Sequence, residues 1–304
     1  MQTNFDFKSA PCMLCDSIGL VFIHNLRDDE KHWAARCDAC GHVQITPLPK
    51  VEEDELYYKE NIVYRQITTK DKLDDIALMN KLKEWGLPQV ETLERMIDPK
   101  SHILEIGSGY GWLVQLMREK GYNIDGIELN AQQRKMAKNR ANIDLYECNI
   151  SINLPSSMYE SYDVVCMFHV LEHMNDPVRF LETASLALKT YGKILIEVPN
   201  FNCYIKHVSK SYDDFSYLRQ HISYFMDSTL VRVLEKSAFK VEEVLCAQRY
   251  SIENALYWAS YGKPHLPYYQ LKVPAPLEFV DRYYKKALEK DMTADSIIAL
   301  ATKK

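Results

Sequence analysis

The chain has 304 residues, 47% of them hydrophobic and 26% charged, the balance of a folded globular protein rather than a disordered or low-complexity one. Its net charge is −5 and its pI about 6.0, and no segment concentrates lysine and arginine, so a nucleic-acid phosphate track is not expected. No run of about 18 apolar residues occurs, and no apolar core follows basic residues at the N-terminus, so the expectation is a cytoplasmic protein with no membrane partner.

From the N-terminus, Cys12-x-x-Cys15 and Cys37-x-x-Cys40 are two knuckles separated by 21 residues. Four thiolates in two tight pairs suit a tetrahedral structural zinc. The spacer reads as a hairpin, with apolar 20–23, a polar turn, and 33–35. Residues 1–48 are therefore expected to form a zinc ribbon. Two disulfides are the alternative, but Cys148, Cys166, Cys203 and Cys246 are isolated and read as reduced thiols. His32 and His42 lie near enough to be alternative ligands, although four cysteines already complete the site.

Residues 49–100 connect this module to the rest as a helical linker or cap. The stretch 70–96 reads as one or two amphipathic helices broken near Gly86-Leu87-Pro88. Tyr57, Tyr58, Tyr64 and Arg65 make an aromatic and basic patch, with Tyr64 a candidate to meet a ligand and packing the competing reading.

Residues 102–130 follow as strand, glycine-rich turn, helix, strand and acid. His102–Ile106 is a short apolar run, the pattern of a buried parallel strand. Gly107, Gly109 and Gly111 come next, in E-x-G-x-G-x-G, where glycine permits a tight turn and close approach to a ligand. A helix over 112–120 stops at Gly121, and Asn123–Ile127 is a second strand ending at Glu128. An acid there can accept both hydroxyls of a ribose. The dinucleotide fingerprint is G-x-G-x-x-G, built for a pyrophosphate, and these alternate glycines differ from it. They resemble the first motif of class I S-adenosylmethionine (SAM) methyltransferases. The resemblance implies that Glu105 orients the SAM amino group and that Gly107, Gly109 and Gly111 shape its turn. It also implies that Glu128 binds the ribose, and that Asn149, beyond a third strand over 141–147, borders adenine.

Further strands are expected over 162–167, 193–198, 239–246 and 295–301, with an amphipathic helix over 228–236. The fourth strand continues into Phe168-His169-Val170-Leu171-Glu172-His173, followed by N-D-P. This resembles sugar C-methyltransferases of deoxysugar pathways and ubiquinone-type O-methyltransferases. The resemblance places Phe168 and His169 at the methionine end of SAM, and Glu172 and His173 toward the acceptor. His173 then suits a general base, and Glu172 could orient it or share a metal with it. The plainer reading is a helix N-terminus with a nearby carboxylate and a surface histidine. His221, followed by Ile222-Ser223-Tyr224-Phe225, is a second base candidate, with a backbone-bonded structural ring as its alternative. Glu197, inside an apolar strand, must face the cleft or a partner.

Residues 248–291 form an aromatic-rich insertion with helices over 251–260 and 277–290. It is a candidate lid, acceptor platform or homodimer surface.

The expected fold is therefore α/β: a doubly wound, seven-stranded, Rossmann-like methyltransferase sheet over 101–304, with an N-terminal zinc ribbon and a helical insertion before the last strand. The resemblance covers about 100–247 and 292–304. It implies a SAM-dependent enzyme acting on a small molecule, with a sugar or sugar nucleotide as leading acceptor. The sugar enzymes it resembles also begin with a cysteine-ligated zinc domain. They carry a large C-terminal domain for which 304 residues leave no room, so that part of acceptor binding is expected to be missing or replaced. The rival readings are an RNA- or protein-modifying methyltransferase with the ribbon as reader, and a non-catalytic SAM-binding subunit.

Overall fold

The computed structural model describes residues 5–50, 75–264 and 278–304. Tyr57, Tyr58, Tyr64 and Arg65, and Tyr268 and Tyr269 of the insertion, lie outside the described residues.

The N-terminal module contains β1 (Leu20–Asn25), β2 (Trp33–Cys37) and β3 (Val43–Thr46), paired antiparallel in that order. Its fourth strand comes from far along the chain. β8 (Ser223–Tyr224) pairs with β3, matching Val43 with Tyr224 and Gln44 with Ser223. Ala34, Val43 and Ile45 are buried together with Tyr217, Ile222 and Tyr224, so the module's core is shared with the following domain. The two CxxC turns sit at the other end of the hairpin.

The main sheet has six strands: β4 (His102–Ile106), β5 (Asn123–Ile127), β6 (Tyr162–Phe168), β7 (Leu188–Pro199), β9 (Phe239–Ala247) and β10 (Ser296–Lys303). Their spatial order is β5-β4-β6-β7-β10-β9. The first four are parallel, and β10 lies antiparallel to both β7 and β9. Near-continuous burial of β4, β6 and β10 matches strands covered on both faces. One face packs on α1 (Asp75–Met96), α2 (Trp112–Glu119) and α3 (Ala131–Ala141), through Leu93, Leu113, Met117 and Ala137. The other packs on α4 (Pro177–Ser185) and α7 (Asp227–Lys236), through Phe180, Leu181, Leu230 and Val233. Between β7 and α7 run two short helices, α5 (Tyr204–Val208) and α6 (Lys210–Ser216).

Two expectations are corrected. The stretch 141–147 is not a full strand: it makes a single parallel bridge, Tyr146 with Ile127. The reason is local, because α3 runs through Ala141 and ends on Asn142 in the left-handed region at φ 52, which uses up the residues a strand would need. The break near Gly86-Leu87-Pro88 is also absent, since α1 continues through all three residues. Gly86 serves packing instead: a Cβ there would lie 1.6 Å from the Trp112 ring.

The insertion holds α8 (Ile252–Tyr261) and α9 (Glu278–Lys290), tied together where Ile252 N donates to Asp281 at 2.8 Å. Trp258 is buried against Tyr212 and Phe215, whereas Tyr261 and Tyr283 stand exposed.

Candidate active site

The carboxyl ends of β4, β5 and β6 converge on one region, the place where open α/β sheets bind ligands. Gly107, Gly109 and Gly111 all have positive φ (78°, 53° and 69°), which this turn demands and other residues adopt at a cost. A Cβ on Gly107 would lie 2.5 Å from Val170 Cγ2, so the glycine loop abuts the segment leaving β6. At Gly109 a Cβ would meet nothing within 4 Å, which leaves an open cradle.

Two acids face this cradle. Glu105 is buried, and its Oε2 has no hydrogen-bond partner among the described residues. Burial, reinforced by the Glu128 charge, pushes its pKa up to about 8. Glu128 directly follows β5. Its carboxylate accepts from Gly109 N at 2.8 Å and from Asn130 N at 2.7 Å, so it pins the loop and the start of α3. Asn149 lies beyond the Tyr146 bridge, past the same sheet end, with its side-chain oxygen accepting from Ser151 N at 3.1 Å. An orphaned acid, an open glycine cradle and a pinned acid at the next strand end fit the amino-acid moiety and ribose of SAM.

The segment after β6 carries the rest. Phe168 is buried, and His169 is exposed with φ 56, a conformation unusual for a residue with a side chain. Its ring lies between two buried carboxylates: Nδ1 is 3.5 Å from Glu172 and Nε2 is 3.7 Å from Glu197. Desolvation opposes protonation of His169, but these acids leave its pKa above the ordinary value. Glu172 is 1% exposed, and neither of its oxygens has a hydrogen-bond partner among the described residues. Burial alone would raise its pKa, but the neighbouring histidines hold it at about 2. His173 Nε2 stands 3.7 Å from Glu172 Oε1, while its Nδ1 lies 2.7 Å from the Gln220 carbonyl oxygen. The His221 ring is 5.3 Å from that of His173, and burial drives its pKa down to about 3. Glu172, His173 and His221, chosen from sequence, are thus brought together, and His169 joins them beside Glu172.

Sequence reasoning missed Arg249. Its guanidinium grips Glu197 with both oxygens engaged, Nε at 2.8 Å and Nη2 closer still. This answers where the buried strand glutamate faces. Asp295 accepts from Arg249 N at 2.9 Å and from Tyr250 N at 3.0 Å, which fixes the arginine's backbone.

The cysteine cluster is compact. Cys12 and Cys40 sulfurs are 3.6 Å apart, as are those of Cys15 and Cys37, and all four lie within 4.8 Å of one another. That is far beyond a disulfide bond. It matches the spacing of roughly 3.8 Å between tetrahedral ligands held about 2.3 Å from zinc. His32 is bonded to Asp29 at 3.0 Å, and buried His42 packs on Phe225, so neither enters the cluster. The module docks directly on the active-site segment. Ile45 N donates to Ile222 O at 2.9 Å, and Ile222 N donates to Glu172 O at 2.8 Å. Among the described residues no helix is long and apolar enough to cross a membrane.

The parallel sheet closed by an antiparallel last strand, together with the glycine cradle, defines a class I SAM-dependent methyltransferase fold. The methyltransferase-domain family matches residues 83–244, more than half of the chain, and the chain belongs to that family. Over 105 residues it is 34% identical to a ubiquinone biosynthesis O-methyltransferase of Idiomarina loihiensis, covering 33% of this chain and 43% of that one. Identity to the enzyme of the same name from Coxiella burnetii is 24% over 164 residues, 52% of this chain and 67% of the relative. The chain therefore spans between 43% and 67% of these relatives' lengths. Among solved structures, a SAM-dependent methyltransferase from Archaeoglobus fulgidus superposes with a TM-score of 0.52 at 18% identity, covering 79% of this chain and 100% of that one. One from Thermotoga maritima gives 0.50 at 16% identity, covering 82% and 98%. At such identities the likeness concerns the fold alone.

Proposed function

We propose that the protein transfers the methyl group of SAM to a hydroxyl oxygen of a small-molecule acceptor. The observation that carries this reading is the buried Glu172 carboxylate with three histidines around it, set beside the open glycine cradle at one end of the sheet. SAM supplies an electrophilic methyl on a sulfonium. In this reading Glu105 receives its amino group, Gly107, Gly109 and Gly111 make room for its backbone, and Glu128 takes the ribose hydroxyls. Asn149 borders adenine, and Phe168 closes the methionine end. The acceptor enters over Glu172, and the hydroxyl proton leaves through His169, His173 or His221. Positioning the oxygen in line with the methyl supplies much of the rate.

The relatives' name favours a phenolic hydroxyl of a quinone precursor as acceptor. A sugar nucleotide is the second reading, supported by the N-terminal module docked on the His221 segment, the arrangement of the sugar methyltransferases. The module itself is proposed to hold a structural zinc on Cys12, Cys15, Cys37 and Cys40. The test is transfer of labelled methyl from SAM to matched panels of polyhydroxylated phenols and sugar nucleotides. Label on a phenol supports the first reading and label on a sugar nucleotide the second. Label only on RNA or protein removes both.

A further inference from the structure

We infer that Arg249 and His169 together receive an anionic group of the acceptor, a carboxylate or a phosphate, and so select acceptors that carry one besides the hydroxyl to be methylated. The inference rests on the methyl-transfer reading above and names the acceptor's chemical class.

Both residues stand at the carboxyl end of the sheet. His169 directly follows β6, and its backbone N–H donates to Glu197 O, near the end of β7, at 2.9 Å. β10 is antiparallel to both β7 and β9, so β9 runs in the direction of β7. Arg249, two residues past β9, therefore emerges on the same rim. The two side chains meet over one atom. Arg249 Nε lies 2.8 Å from Glu197 Oε1, and His169 Nε2 lies 3.7 Å from the same oxygen.

The charges are layered. Glu197 is fully buried and Glu172 almost so, whereas the His169 side chain is 41% exposed and that of Arg249 21%. An entering ligand meets the cationic groups first, with the carboxylates behind them. Burial opposes protonation of His169, but the two acids outweigh it and favour the charged ring. With Arg249 and His169 charged, the four side chains are neutral as a set. The cluster needs no added cation, and its exposed face is the positive one.

The guanidinium has donors to spare. Glu197 takes Nε and Nη2, and Asp295 accepts from Arg249 N at 2.9 Å, so the fork is held in place from both ends. Nη1 makes no hydrogen bond among the described residues. A planar donor fixed by a buried acid, with an unused N–H edge, matches an oxyanion. His169 supplies a second donor beside it. Its ring nitrogens are 3.5 and 3.7 Å from the acids, beyond normal hydrogen-bond length, so its N–H groups can turn to a ligand. A hydroxylated aromatic acid brings a carboxylate to this site, and a sugar nucleotide brings a diphosphate.

Paired probes binding to the full-length protein separate these sources: dihydroxybenzoate against catechol, and UDP-glucose against glucose. In at least one pair the anionic member should bind wild type tighter by about tenfold or more. The pair that shows the preference identifies the source of the anion. Arg249→Lys keeps a cation for Glu197 but loses the fork, and should remove most of the preference. The double variant Arg249→Met with Glu197→Gln strands no buried charge and should remove it as well. His169→Asn, with a side chain that tolerates positive φ, should reduce it. SAM affinity and melting temperature report whether each variant is folded. Equal binding of anionic and neutral members by wild type, or a preference that survives both Arg249 variants, would overturn the inference. If neutral hydroxyl compounds are methylated as fast as anionic ones, the anion site is refuted and the methyl-transfer reading survives. If anionic probes bind through Arg249 but no hydroxyl is methylated, the anion site stands and the methyl-transfer reading falls.

Discussion

His173 and Gln220 are joined by a 2.7 Å hydrogen bond from the imidazole Nδ1 to a main-chain oxygen, and this bond decides what the imidazole can do. It fixes the protonated nitrogen, aims the other at Glu172, and ties the turn after β6 to the segment carrying His221. Ile222 N adds a second clip two residues later, donating to Glu172 O at 2.8 Å. The cluster of Glu172, His173 and His221 is therefore built from two loops that hold each other.

His173→Asn separates these roles. The asparagine amide can still donate toward Gln220 but brings no second nitrogen to Glu172. We expect SAM affinity within about twofold of wild type and turnover reduced by roughly 10²-fold or more. Isothermal titration and a labelled-methyl assay would read the two quantities. Turnover near wild type would exclude His173 from the chemistry.

The N-terminal module reaches the same cluster through the backbone. β3 pairs with β8, and Ile45 N donates to Ile222 O, which is one peptide from the clip on Glu172. Cys37→Ser should release about one zinc per chain and lower the melting temperature by several degrees or more, because site formation and folding of the module are linked. Turnover should fall much further than SAM affinity, since the glycine cradle lies on other strands. Metal analysis of the purified wild type showing well under one zinc per chain would overturn the zinc assignment.

Much of this architecture was legible in the sequence, for identifiable reasons. Buried parallel strands announce themselves as apolar runs, and alternate glycines after Glu105 read directly as a tight turn. CxxC spacing pointed to the four-cysteine cluster. What failed to show was long-range or locally ambiguous. β8 is two residues long and has no periodicity to detect. Arg249 lies 52 residues from Glu197, and only the antiparallel insertion of β10 brings the end of β9 beside the end of β7. The place of the His169 ring between Glu172 and Glu197 could not be read either, because nothing in a sequence reveals a positive φ that swings a ring between two acids. The residues 141–147 had strand-like composition, but the helix before them ran too far.

The Glu197–Arg249 pair gives a stability prediction. Glu197 is fully buried, so Arg249→Met strands its charge and should cost about 3–5 kcal/mol in denaturant unfolding. Adding Glu197→Gln should recover a large part of that loss. Independent additive costs in the double mutant would show that the two side chains do not act as a pair.

Glu128→Ala removes the acceptor for two backbone N–H groups and, on the proposed reading, for the ribose. SAM affinity should weaken by about 1–3 kcal/mol. Unchanged affinity in a direct binding measurement would mean that the ribose lies elsewhere.

Glu105 sets a pH dependence whose sign follows from its burial. Its folded pKa of about 8 exceeds its ordinary value of 4.5, so between these limits the folded protein keeps a proton that the unfolded chain has released. Its contribution to stability is complete below pH 4.5 and is lost as pH rises toward 8, by about 1.4 kcal/mol per pH unit. Glu105→Gln should flatten that slope in urea unfolding between pH 5 and 8. A cationic amino group placed against Glu105 reverses its preference, so SAM binding near pH 7 should release a proton. Titrations in two buffers of different ionisation enthalpy would reveal it as a buffer-dependent heat, absent in Glu105→Gln. Equal heats for wild type in both buffers would mean that the amino group of SAM does not meet Glu105.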